Sequence, residues 1–257
     1  MTESYALLNS QTHADLRYNP AKGYSFAAQL MSVPTTLGEA KHIAREYVLV
    51  FDKKTERMYA LLGGQKNVNA YVNDRGQWLG RYIPAQIRAY PFTATPIPRQ
   101  DGDNNGDERL AILIDTNAPH FSDPRGERLF GDQGQLSPAL EKIQKILMNM
   151  RLDAKRTSTL IKQLDEQGLL VEQKIDIKGT STSLQGFRVV DSNKLLALPP
   201  QPLAELNTSG ALILAYTQLF SLLNLEKSTL TERAQKSAAK LLSEDDFNFD
   251  FSQFTNQ

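Results

Sequence analysis

Cysteine is absent from the 257 residues. That excludes disulfides, thiolate metal sites and a cysteine nucleophile, and it suits a cytoplasmic protein, the localisation expected from sequence. Net charge is absent as well. The 29 basic side chains are matched by 29 acidic ones, so no whole-molecule field draws in nucleic acid or an anionic membrane. The N-terminus, MTESYALLNSQTHADLRYNP, lacks the basic-then-apolar order of a Sec signal peptide, and none is expected. Long apolar runs are missing too. The most apolar stretch, ALILAYTQLFSLLNL from Ala211 to Leu225, carries Thr217, Gln218, Ser221 and Asn224. It is shorter than the ~20 residues a bilayer span needs, so it reads as a buried core helix, and no membrane span is expected. There is no G-x-S-x-G elbow, G-x-G-x-x-G turn or P-loop. Ser–His–Asp catalysis and a phosphate-cradling loop therefore have no support.

What is present is ordinary for a globular protein: 40% apolar and 23% charged residues, enough for a real core. The length allows one large domain or two modest ones. The pattern divides into a β-rich part (1–135), a mostly helical part with a strand–loop–strand insert (136–242), and an acidic, Phe-bearing tail (243–257) that is expected to be disordered alone. The implied fold class is α+β, with mixed or antiparallel strands packed against helices.

In the first part, residues 24–30 suggest a short strand and 37–46 a short helix. YVLVFDK (47–53) and MYALLGG (58–64) make a hairpin. ERLAILID forms a strand ending at Asp115. Beyond Thr116 the chain is loop-like. Ser137 is a good N-cap with Pro138 behind it, and Leu140, Ile143, Ile146, Leu147 and Met150 recur at helical spacing. A second helix, about 158–167, ends at Gly168. Two strands joined by a loop follow, then LPPQP as a stiff linker, a long apolar helix from about Leu203 to Leu225, and a capping box at Thr229–Glu232.

The densest stretch is Asn67 to Phe92, NVNAYVNDRGQWLGRYIPAQIRAYPF. Asn73-Asp74-Arg75-Gly76 is a turn signal because Asn, Asp and Gly tolerate positive φ, and QWLGRYI reads as the returning strand. Pro84 suits the start of a short helix to about Arg88, with Pro91 forcing extension.

Several segments together resemble the bacterial SapC family over roughly residues 5–225. They include His13 with Leu16-Arg17, Tyr24 to Ala27, Glu39, YVLVF at 47–51, Asn67 to Val72, LQGFRVVD at 184–191 and AYTQLFSLL at 215–223. The block GQWLGRYIPAQIRAYPF is the specific part. The resemblance implies a bacterial protein, associated by the family's name with surface-layer systems, and brings no catalytic residues with it.

Candidate sites follow from residue chemistry. Trp78, Arg81, Tyr82, Arg88 and Tyr90 offer flat aromatic area and forked donors for a carboxylate or phosphate, although large aromatics at this density more often form a core junction. Arg88, set between apolar residues, needs an acceptor. His13 and Arg17 are further binding candidates. His13 and Asp15 with His120 have the residue types of a two-His-one-carboxylate iron site, but the H-x-D spacing is weak and no metal or other cofactor is expected. DGDNNGDE at 101–108 resembles a calcium loop but has Ile112 where a bidentate Glu belongs, which favours a solvated turn. Residues 139–190 have a winged-helix order, with Lys155, Arg156, Lys162, Lys178 and Arg188 against Asp153, Asp165 and Glu166. That charge cancellation argues against nucleic acid. Phe247, Phe249, Phe251 and Phe254 in the tail are candidates for docking a protein partner. The expectation is a non-enzymatic accessory or partner-binding protein of a surface-layer or peptide-handling system. The alternatives are a small-ligand binder or non-haem metal enzyme with a pocket near Trp78 and Arg88, and a winged-helix DNA binder.

Overall fold

The computed structural model describes residues 5–20, 23–97, 110–177, 183–226 and 229–233. In chain order the elements are β1 (Tyr5–Leu7), β2 (Arg17–Tyr18), β3 (Ser32–Thr35), α1 (Leu37–Ile43), β4 (Leu49–Asp52), β5 (Met58–Leu61), α2 (Ala85–Ala89) and β6 (Phe92–Pro96). They continue with β7 (Leu110–Asp115), β8 (Glu127–Arg128), α3 (Pro138–Glu166), β9 (Leu170–Glu172), β10 (Ile175–Asp176), β11 (Ser183–Leu184), β12 (Phe187–Val190), α4 (Ser192–Leu196), α5 (Pro200–Ser209) and α6 (Ala211–Ser221). The class is α+β, and every strand pairing among the described residues is antiparallel.

Two sheets carry the molecule. The larger has the order β3-β5-β4-β12-β9, and the smaller β1-β7-β6. The expected hairpin of β4 and β5 forms, with Val50 opposite Tyr59. β12, from after residue 136, pairs with β4 from before it, so the larger sheet draws strands from both sides of that point. Its apolar cluster includes Tyr47, Leu49, Phe51, Leu62, Ile161, Leu164, Val189, Leu214 and Ala215. A second cluster lies under the smaller sheet and holds Phe92, Ile114, Leu129, Phe130, Leu140 and Leu147.

Several local expectations give way to tertiary packing. Residues 24–30 form a 3-10 turn (Ser25–Ala27) rather than a strand. QWLGRYI does not return as a strand; only a single bridge, Val72 to Trp78, joins it to NAYV. The helices expected at 137 and 158 are one helix of 29 residues, α3. No Gly or Pro interrupts that span, and just before Ser158 the hydroxyl of Thr157 bonds back to the Asp153 carbonyl at 2.7 Å within the continuous helix. Without two helices, the helix–turn–helix needed by the winged-helix reading does not form. LPPQP is not a linker: Pro199 is the N-cap of α5, and Pro200 occupies its first turn, where a missing N–H costs nothing. The long apolar helix breaks at Gly210, whose φ of 93° is readily adopted only by glycine.

α3 begins as expected, with the Ser137 hydroxyl accepting from Leu140 N–H, and ends at Gly168 with φ 66°. Leu140 and Leu147 lie in the second cluster, while Leu160, Ile161 and Leu164 lie in the first. Near its middle, Asp153 accepts from Thr36 Oγ1 and, at 2.8 Å, from Gly38 N–H, capping α1. A side chain at Gly38 would collide with that carboxylate, its Cβ falling 2.3 Å from Oδ2.

Gln218 and Ser221 of α6, and Asn224 in the turn after it, point to the larger sheet and the segment leading into it. Gln218 is fully buried; its Oε1 accepts from Val190 N–H at 2.9 Å and its Nε2 donates to Leu49 O at 3.1 Å. Ser221 Oγ accepts from Leu49 N–H at 2.9 Å, and Asn224 Nδ2 donates to Ala44 O and Tyr47 O at 2.9 and 3.0 Å. Gln218→Leu leaves a buried N–H and a buried carbonyl without partners. It should lower unfolding free energy by about 2–4 kcal/mol, read as the urea midpoint. An unchanged midpoint would show that the bonds to β4 and β12 are dispensable.

Candidate functional site

The Trp78–Phe92 segment folds back on the turn that follows α1, and two carboxylates hold it there. Glu46 Oε2 accepts from Arg81 N–H at 2.8 Å and from Tyr82 N–H at 3.4 Å. Glu39 is buried, 7% exposed. Its Oε1 accepts from Thr35 Oγ1 at 2.9 Å, and its Oε2 accepts from the Tyr82 hydroxyl at 3.1 Å and from Ala85 N–H at 2.8 Å. These bonds satisfy the first turn of α2 and compensate the burial of the Glu39 charge.

An aromatic hub sits beneath. The Tyr47 hydroxyl donates to the Tyr82 carbonyl and accepts from Trp78 Nε1 at 3.0 Å. Tyr47 packs at 4.4 Å against Tyr71, the rings tilted by 38°, and the Tyr71 hydroxyl donates to Glu46 O at 3.0 Å. Trp78 lies edge-on to Tyr24 at 5.6 Å. Gly80 passes so close that a Cβ there would stand 2.4 Å from the Tyr47 oxygen. Burial raises the Tyr47 hydroxyl pKa far above its ordinary value. Tyr82 is raised by burial and then by the Glu39 charge. Tyr90 is raised by burial and then by its bond to Asp115 Oδ2 at 2.8 Å.

The structure brings Trp78, Tyr82 and Arg88 together. Arg88 is exposed and finds its acceptors locally: Nε donates to Ile83 O at 3.0 Å and Nη2 to the Tyr82 hydroxyl at 3.1 Å, with the guanidinium 5.5 Å from the Tyr82 ring centre. Arg81 is exposed nearby. Tyr90 belongs to a neighbouring aromatic group, stacked on Phe26 and edge-on to His120 at 5.2 Å. His13 and Arg17 lie elsewhere. His13 Nδ1 accepts from Asn9 N–H at 3.3 Å, and Arg17 donates to Gly126 O at 3.2 Å beside the β2–β8 ribbon. His120 packs against Tyr18, Phe26 and Tyr90, while Asp15 pairs with Arg128 at 3.7 Å. Among the described residues no three His, Asp or Glu side chains gather as metal ligands. The calcium-like loop at 101–108 and the tail residues Phe247, Phe249, Phe251 and Phe254 lie outside the described residues.

Trp78 is packed in, and the open space flanks it. A pocket of about 440 Å³ is lined by His42, Arg45, Glu46, Leu79, Arg81, Tyr82, Asn224 and Thr229. A larger groove, about 950 Å³, runs over α3 between the β3 edge and the β6 edge, with Glu39, Arg57, Gln86, Thr93 and Lys155 among its lining. His42 and Arg45 escaped sequence reasoning because neither sits in a motif. Only the fold sets them beside Arg81.

A third feature is apolar. Ile213, Tyr216 and Phe220 of α6, with Leu223 in the turn after it, are 61%, 38%, 64% and 66% exposed. Their spacing places them in one row, opposite the buried Leu214, Ala215 and Gln218. No single helix among the described residues is long and apolar enough to cross a membrane.

Comparison with known proteins adds one finding. A family model described as SapC matches residues 8–227. No curated protein and no solved structure matches the chain.

The buried Tyr47 hydroxyl gives a pH prediction. Its folded-state pKa is raised, whereas the unfolded chain releases the proton near its ordinary value of about 10. The stabilisation is therefore complete below that pH and is lost as pH rises through and beyond it. The urea midpoint should fall between pH of about 9 and about 11, and less steeply in Tyr47→Phe. Equal slopes in the two proteins would assign the alkaline loss to other groups.

Proposed function

The chain belongs to the SapC family, and from that premise we propose that it is a non-catalytic accessory protein of a bacterial surface-layer or peptide-handling system that works by binding a protein partner. The observation supporting this reading is the exposed row Ile213, Tyr216, Phe220 and Leu223. Scattered surface apolar residues are normal, but a continuous row of large ones on a helix held rigidly from behind is the geometry of a docking face. The matching partner is a helix with its own apolar ridge, laid along α6 so that side chains interdigitate. Burying aromatic anchors such as Tyr216 and Phe220 would dominate the affinity. The titratable groups of the hub are committed to holding main chain rather than free for chemistry, which fits a binding role. A second reading, small-ligand binding, is supported by the pocket beside Arg81.

The partner reading is tested by placing a photo-crosslinking amino acid at position 220 in cells of the source bacterium, with position 162 on the outer face of α3 as control. The expected result is a discrete adduct with another protein at 220, absent at 162 and reduced at least about tenfold by Leu223→Glu, with the thermal midpoint unchanged. Adducts only with a second copy of this chain, or none beyond the control, would defeat it.

A further inference from the structure

The pocket beside Arg81 has a composition that points to a ligand class. We propose that it is a binding site for a small oxyanion-bearing molecule, its carboxylate or phosphate held by Arg45 and Arg81 and its body lying against Leu79 and Tyr82. This inference stands apart from the docking face on α6, because it rests on other residues and on a concavity rather than a ridge.

Charge comes first. Arg45 and Arg81 are both exposed at the pocket wall, and among the described residues neither guanidinium has a hydrogen-bond or ion-pair partner. The nearby carboxylate that would be expected to neutralise them, Glu46, is engaged instead with the Arg81 and Tyr82 main-chain N–H groups. It offsets one positive charge, leaving an excess of one before His42 is counted. A planar guanidinium donates in a fork that matches carboxylate and phosphate oxygens, and two forks on one concavity favour an oxyanion over chloride.

Position comes second. The Glu46 bonds pin the segment bearing Arg81 to the turn bearing Arg45, so the two arginines arise from backbones fixed to each other. The side walls are preformed: His42 stacks on Tyr82 at 5.3 Å, with planes 14° apart. Asn224 also lines the pocket. Its amide nitrogen is committed to Ala44 O and Tyr47 O, while its Oδ1 has no partner among the described residues and remains an acceptor for a ligand hydroxyl or amine. The volume, about 440 Å³, lies in the range of small-molecule sites.

The protein carries its own reporter. Trp78 is the sole tryptophan, and its Nε1 donates to the carbonyl of Tyr82, a lining residue of the site, at 3.2 Å. Full-length protein is titrated with inorganic phosphate, acetate and, as an ionic-strength control, chloride, following Trp78 fluorescence. Saturable change is expected with phosphate or acetate and not chloride; the arm that saturates at lower concentration identifies the head group. Arg45→Ala and Arg81→Ala should each weaken binding by about tenfold. Arg81→Lys should recover only part, and Arg75→Ala at the nearby turn should change nothing. Because neither pocket arginine has a partner among the described residues, these variants should keep the wild-type thermal midpoint. The proposal is overturned by absence of a saturable response up to about 10 mM, by an equal response to chloride, or by a response that survives in the Arg45→Ala, Arg81→Ala double variant.

Discussion

Where β4 and β12 meet, their pairing covers Phe51 and Asp52 but not Leu49, and the main-chain groups left over are satisfied by side chains of α6 and the turn after it. Gln218 reaches both strands, Ser221 reaches β4, and Asn224 reaches the segment that leads into it. Buried peptide groups without partners are costly, so this row of three polar side chains is a condition for the larger sheet to include strands from the end of the chain. It also fixes which face of α6 turns inward. The exposed apolar row on the other side follows from that constraint.

The same economy governs the hub beneath Trp78. Glu39 and Glu46 are consumed in capping α2 and pinning the Arg81–Tyr82 main chain. Tyr47, Tyr71 and Trp78 tie the loop to the core through hydroxyl and indole bonds. Side chains this committed are scaffold, and among the described residues Arg45, Arg81 and the Asn224 oxygen, at the edge of the hub, keep spare bonding capacity.

Much of the fold was legible in the sequence wherever a local signal and the tertiary environment agree. The β4–β5 hairpin follows from β-branched and aromatic alternation, and the start of α3 from Ser137-Pro138. The same holds for the end of α3 at Gly168 and for β7 up to Asp115. Failures fall where a weak signal met strong packing. Ser158 resembles a helix start, but nothing before it stops a helix whose Leu160 and Leu164 extend the same buried stripe. Gly210 sits inside a continuous apolar pattern that conceals its left-handed turn. Residues 24–30 hold strand-forming residues yet pack as a tight turn against Gly76 and Asn69. Only part of the candidate site stands together in the sequence. Trp78, Arg81, Tyr82 and Arg88 stand in one dense segment, whereas His42, Arg45 and Asn224 come from distant segments with no motif to mark them, and periodicity cannot reveal a three-dimensional neighbour.

α3 passes through both apolar clusters as one uninterrupted rod, about 43 Å long at the standard helical rise. Its lower turns are embedded under one sheet and its upper turns under the other, with Asp153 gripping α1 between them. The two sheets therefore share an axle and have no pivot on this helix. A ligand or partner of such a body would meet a standing shape, and little of its binding free energy would be diverted into bringing the halves together. Selectivity would then reside in side chains that can be exchanged on the surface while the frame beneath them stays constant.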